Sequence, residues 1–370
     1  MRHPSSRVKA GLFLVVTLLL ALGIVEGVWR VICLGGGDLP PNKDPDLRGE
    51  WTWVKERLKA GSHSLTIMAT QFDPELGWAL RPGYRSEGMN INALGQRGLK
   101  TVPIKRKDDH LRILVIGDSY SFGPNVTDEE TYAAVLRDSF LPDAEVVNLA
   151  VSGYGTDQQI LLYERDGVPY EADIVVLGFF THDMSRNGRQ FRFYAKPIFE
   201  IRDQDLVLAD VEIPSPTDLI GFYTSGQRSI RTHGSYVFEY LHQEWKGLMR
   251  HGPKASTPEW AVTEKILERF HRRAHAQGSE PFLLVIHHEQ FLETDDCRSA
   301  EIAALLVKKA EALGMKYLDL GPIFRENNTK EDDPLYYGHW TSRGHRIAAE
   351  ALYRALVDAS LVTPSLFSSP

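Results

Sequence analysis

The stretch Leu111-Arg112-Ile113-Leu114-Val115-Ile116-Gly117-Asp118-Ser119-Tyr120 decides how this chain is read. Its apolar part is short and nearly unbroken, the pattern of a strand covered on both faces in a parallel sheet. The turn that follows is small and polar. Ligands of open α/β sheets bind beyond the carboxyl ends of the strands, so the hydroxyl of Ser119 is placed as a nucleophile. A helix starting there would aim free backbone N–H groups at the same spot.

Working outward, four more short apolar runs are bounded by turn residues: 144–149, 174–180, 282–287 and 315–320. Between them fall helical patterns at 128–140, 157–165, 260–276, 299–313 and 342–356. Strands alternating with helices predict an α/β fold with a doubly wound, flavodoxin-like parallel five-stranded sheet and right-handed crossovers. The connection after the third strand is longer than one crossover helix needs. Within it, Lys196–Ile201 and Leu206–Leu208 read as a hairpin closed by Asp203-Gln204-Asp205, and Tyr236–Met249 as an amphipathic helix. Insertions of this length at the carboxyl end of a sheet often cap a site.

The chain has 370 residues, 43% hydrophobic and 25% charged, enough for a full core. Its net charge of −7 argues against nucleic acid as a partner. The two cysteines, Cys33 and Cys297, form no disulfide framework and no metal motif. His271 and His275 stand four apart on a helical pattern, yet no third ligand accompanies them, so neither a metal nor a cofactor is expected. At the N-terminus Arg2, Arg7 and Lys9 precede an uncharged run from Ala10 to Val25, which predicts an N-terminal transmembrane helix or a cleaved signal peptide. Either one places the bulk of the chain outside the cytoplasm, with an anchor giving a single pass through a bacterial-type inner membrane.

Three further segments stand where chemistry needs them: Asn148–Gly155 after the second strand, Thr181-His182-Asp183 after the third, and Gly338–His345 before the last helix. In this order, together with Gly117-Asp118-Ser119, they resemble the blocks of the SGNH/GDSL hydrolase family of serine esterases and O-acyltransferases. The segments Asp73–Trp78 and Asn92–Gly98 resemble the lead-in of its membrane-anchored, polysaccharide-associated members. The resemblance implies residues 1–33 as cytoplasmic tip and anchor or signal, 34–110 as stalk and lead-in, and 111–362 as hydrolase domain with an insertion at 184–258.

It also implies Ser119 as nucleophile and His339 as the base that takes its proton, roles that suit a weak hydroxyl beside an imidazole. The N–H groups of Ser119 and Gly153, with the His182 side chain where the family has asparagine, form the expected oxyanion hole. Asp118 and His287, at strand ends, are candidate substrate contacts. Tyr336 and Tyr337 occupy the places of the usual acid, so Asp333 is taken as the acid reaching back to His339. Asp332, a backbone carbonyl and the Tyr337 hydroxyl are the alternatives. The function implied is an extracytoplasmic esterase or O-acyl(acetyl)transferase, with an acylated polysaccharide or a small acyl ester as partner and a place beside polysaccharide-export machinery. The rival is a noncatalytic glycan-binding protein that keeps the fold without the acid.

Overall fold

Every residue of Arg112–Gly117 (β1) and of Ile174–Phe180 (β3) is buried, as strands covered on both faces must be. The structure is a computed structural model and describes residues 6–35, 69–106, 109–189, 192–211, 213, 215, 257–293, 297–328 and 333–364. With Glu145–Asn148 (β2), Glu280–Ile286 (β4) and Lys316–Asp319 (β5), these strands form a parallel five-stranded sheet in the order β5-β4-β3-β1-β2. The order reverses between β1 and β3, so the crevice at their carboxyl ends is the switch point where such sheets bind ligands. Ser119 stands at that crevice.

Crossover helices occupy the expected stretches. Pro258–Ala276 is capped by the Thr257 hydroxyl, and Ser342–Asp358 by that of Thr341. The helix expected over 128–140 is instead a single α turn, Tyr132–Val135, running into a wider turn, Leu136–Phe140. One core cluster joins Ile113, Val115, Val176, Phe282, Leu284, Trp340 and Leu352 across sheet and helices. The insertion begins with the expected hairpin, Phe199–Arg202 against Asp205–Leu208. Asp203 and Gln204 both take positive φ in its turn, as hairpin turns of matched twist require. The helix expected at Tyr236–Met249 lies outside the described residues.

By internal contacts the chain divides into one unit of 1–61 with 216–251 and another of 62–215 with 252–370. In the first, Ser6–Gly35 is helical and exposes Phe13, Leu14, Leu18, Leu19 and Ile24. Among the described residues no helix is long and apolar enough to cross a membrane. At ~1.5 Å per residue the uncharged run from Ala10 to Val25 falls slightly short of the ~30 Å of a hydrocarbon core, and a stretch continued through Trp29, with Glu26 near an interface, would match it.

In the second unit, the lead-in is packed into the fold from Ala69 onward. Trp78 is buried, and its indole N–H donates to the Ser152 carbonyl at 3.1 Å. Arg97 is buried as well. It pairs with Asp128 and donates to the carbonyls of Phe122 (3.2 Å) and Val126 (3.1 Å), fixing the loop that follows the nucleophile.

Candidate active site

Ser119 opens a one-turn helix, Ser119–Phe122, directly after β1 and Asp118. Asp118 is its N-cap, accepting the Tyr120 N–H at 2.9 Å. The tight approach beneath the turn depends on glycine. Gly117 and Gly178 face each other across β1 and β3, and a Cβ on either would lie 2.2–2.3 Å from the Ser121 Oγ seated between them.

The candidate base, His339, comes from the far end of the chain. Tyr336–Tyr337 pairs antiparallel with His339–Trp340 around Gly338, whose φ of 70° closes the hairpin. Tyr336 and Trp340 face the core, while Tyr337 and His339 face outward. The hairpin is pinned by Asn125 Nδ2 donating to the Tyr337 carbonyl (2.7 Å) and by the Tyr336 hydroxyl donating to the His287 carbonyl (3.1 Å). It sets His339 Nε2 2.9 Å from Ser119 Oγ, within reach for proton transfer. Tyr120 lies against the imidazole, 5.2 Å between ring centres.

Burial is the main influence lowering the His339 pKa below its ordinary value; the Asp118 charge opposes it, and Arg186 and His288 add to it. The base must be neutral to accept the serine proton, so a lowered pKa extends the active range toward acid. The acid limb of the kcat/KM profile is therefore expected below the ordinary histidine value of about 6.5. A limb above that value in a pH-rate measurement would contradict it.

Among the described residues the N–H groups of Ser119 and Gly153 have no acceptor, which leaves both free for an oxyanion. Gly153 has φ of 85°, and a Cβ there would meet the Phe193 ring at 2.1 Å. Only glycine fits. His182 lies at the rim, its ring 4.7 Å from Phe180 and stacked on His288 at 5.1 Å.

Three residues expected at the site have other partners. Asp333 is exposed, with its carboxylate 3.5 Å from Arg343 Nε rather than on His339. Charge attraction to the nearer guanidinium holds it there, and among the described residues no carboxylate accepts from His339. The Tyr337 hydroxyl makes no bond to His339 either, and Asp332 lies outside the described residues. Asp118 is fully buried, so it positions the turn rather than touching substrate. His287 is also buried, held between Ser299 Oγ (3.0 Å) and Asp319 Oδ1 (2.7 Å), because β4 ends inside the sheet's cover.

Sequence reasoning missed Arg186. From the turn Asp183–Arg186, its Nη1 donates to Asp118 Oδ2 (2.9 Å), Asp183 Oδ1 (2.6 Å) and the Tyr154 carbonyl (2.9 Å). One guanidinium thus ties the nucleophile turn to the loop bearing Gly153 and to the turn bearing His182. Burial, with Asp118 adjacent, holds the Asp183 carboxyl well above the usual carboxylate range. Only the spacing of Arg186 three residues after Asp183 hinted at an ion pair.

Comparison with curated proteins finds no match. Among solved structures, the chain is similar to an α/β hydrolase from the Lake Arreo metagenome (17% identity, 66% of this chain and 94% of that one, TM-score 0.41). It is also similar to a GDSL-like lipase from Bacteroides thetaiotaomicron (13%, 67% and 88%, TM-score 0.37). An acetylxylan esterase from Geobacillus stearothermophilus is a third (16%, 66% and 94%, TM-score 0.37). Residues 115–347, from the nucleophile strand through the histidine hairpin, match the GDSL-like lipase/acylhydrolase family model, and the chain belongs to that family.

Proposed function

We propose that this ester-bond hydrolase works through an acyl group carried on Ser119, and that it acts outside the cytoplasm on acyl esters of a polysaccharide. The observation that carries the mechanism is the 2.9 Å contact between Ser119 Oγ and His339 Nε2, beside two backbone N–H groups that have no acceptor among the described residues. Ser119 Oγ bonds to the ester carbonyl carbon as its proton passes to His339 Nε2. The carbonyl oxygen takes the negative charge against the N–H groups of Ser119 and Gly153. The bond to the alcohol oxygen then breaks, and His339 returns its proton to that oxygen. In the second half, water or a sugar hydroxyl gives its proton to His339, attacks the acyl carbon and releases Ser119, which recovers the proton.

No carboxylate holds the imidazole among the described residues, so a Ser–His dyad is the working unit. The hairpin, with its Tyr120 and Trp340 packing, does the orienting that a triad acid would do.

The glycan and its place rest on sequence. The segments Asp73–Trp78 and Asn92–Gly98 resemble polysaccharide-associated members of the family, and Trp78 reaches the Gly153 loop through Ser152. Arg2, Arg7 and Lys9 ahead of the apolar helix support export toward the periplasm beside polymer-export machinery. The full chain should release acetate from an acetylated xylo-oligosaccharide and carry one fluorophosphonate adduct on Ser119 by intact mass. A folded protein with neither property would instead support the noncatalytic glycan-binding reading, which the lack of a carboxylate on His339 among the described residues favours.

A further inference from the structure

We propose that Tyr337 is the specificity-determining platform for the alcohol half of the ester and selects a flat-faced ring, a pyranose on the reading above, over an open-chain alcohol. Its placement carries the inference. Tyr337 and His339 are direct cross-strand partners, so their side chains share one face of the hairpin, with Cβ atoms typically ~5 Å apart. The opposite pair, Tyr336 and Trp340, is buried at 5% and 1% exposure, whereas Tyr337 is 81% exposed. Among the described residues outside the N-terminal helix, the other exposed large apolar side chains are aliphatic: Leu94, Leu99, Ile104, Ile201 and Leu208. The single exposed aromatic of this group thus belongs to the residue paired across the hairpin with His339.

The reaction assigns the two sides of the crevice. His339 hands its proton to the departing alcohol oxygen, so the alcohol lies on the His339 side. The acyl oxygen lies on the side of Ser119 N–H and Gly153 N–H. A residue paired with His339 therefore meets the alcohol. The Tyr337 backbone is anchored by Asn125 and by the buried pair behind it, so the ring rides on a fixed support instead of a free loop. An aromatic face packs well on the C–H face of a sugar ring and gains little from a short linear chain. The phenol is also free of the task of holding His339.

The test compares kcat/KM for an acetylated xylo-oligosaccharide with that for ethyl acetate, using the full chain and its Tyr337→Phe and Tyr337→Ala variants. Because Tyr337 is exposed, both variants should fold. Tyr337→Ala should lower the ratio of the two kcat/KM values by about 10-fold, mostly through KM for the sugar ester, while Tyr337→Phe keeps the parent ratio. A ratio unmoved by Tyr337→Ala overturns the platform and leaves the glycan-ester reading standing. A parent enzyme that favours ethyl acetate, or cleaves neither ester, overturns the glycan reading and the platform with it.

Discussion

Replacing Ser119 with alanine is expected to lower kcat for ester hydrolysis by at least about 10⁴-fold, and His339→Ala to cost nearly as much. The two residues act as one unit across their 2.9 Å contact, since the hydroxyl is a poor nucleophile until the imidazole takes its proton. Once either is lost, removing the other should cost little more, so the double variant is expected within about 10-fold of the single ones. Such non-additivity is the signature of a coupled nucleophile and base. Residual turnover above the uncatalysed rate would come from the free N–H groups of Ser119 and Gly153. Fold is not at stake for Ser119, which makes no other side-chain hydrogen bond among the described residues. Asp333→Asn supplies the contrast. A true triad acid is worth about 10⁴ in kcat, whereas a carboxylate paired with Arg343 on the surface should change kcat by less than about 3-fold. A loss of 10³ or more in Asp333→Asn, read in steady-state kinetics, would put the acid back on His339.

Much of this arrangement was legible from residue order alone, for a physical reason. A parallel sheet covered on both faces needs uninterrupted apolar strands, and its catalytic groups must sit just beyond their carboxyl ends. The runs ending at Ile116, Leu149 and Phe180 therefore indicated both the strands and the positions of Ser119, Gly153 and His182. His339 was indicated by its block before a helix with a clear Thr341 cap. What stayed hidden depends on long-range partners. Nothing local to Asp118 says that it will be buried against Arg186, 68 residues away. His287 reads as a strand-end ligand until Ser299 and Asp319 close on its two nitrogens. The lead-in was legible only as blocks that resemble the family, with no sign of what they pack against. Its burial comes from scattered anchors, Trp78 and Arg97, which reach into loops far away in sequence. The places the acid usually takes hold Tyr336 and Tyr337, and among the described residues no carboxylate reaches His339.

Arg186→Met is expected to destabilise the fold by about 3–5 kcal/mol, because it leaves Asp118 and Asp183 buried together with no cation between them. The cost should depend on pH, and the sign follows from Asp183. Burial and the neighbouring Asp118 raise its folded-state pKa well above the unfolded value near 4. Its favourable contribution is thus fully present below that unfolded value and is lost as pH rises through the folded one. Taking away the guanidinium removes the main charge that opposed this shift, so the variant should lose more stability at pH 8 than at pH 5. Asp183→Asn in the Arg186→Met background removes one of the two charges and should flatten that dependence while restoring part of the stability. Chemical denaturation at the two pH values reads both effects, and equal losses at pH 5 and 8 would rule out the buried-charge account. Activity should follow a different course from stability. Arg186→Lys keeps the charge and should fold, but its shorter side chain sets the ammonium back from the position of Nη1, the one nitrogen through which Arg186 holds Asp118, Asp183 and the Tyr154 carbonyl. Its kcat is expected to fall by at least about 10-fold with KM little changed, since a misplacement of ~1 Å between the nucleophile and oxyanion loops can cost about 10²-fold. A lysine variant with parent kcat would reduce Arg186 to a purely structural counter-ion.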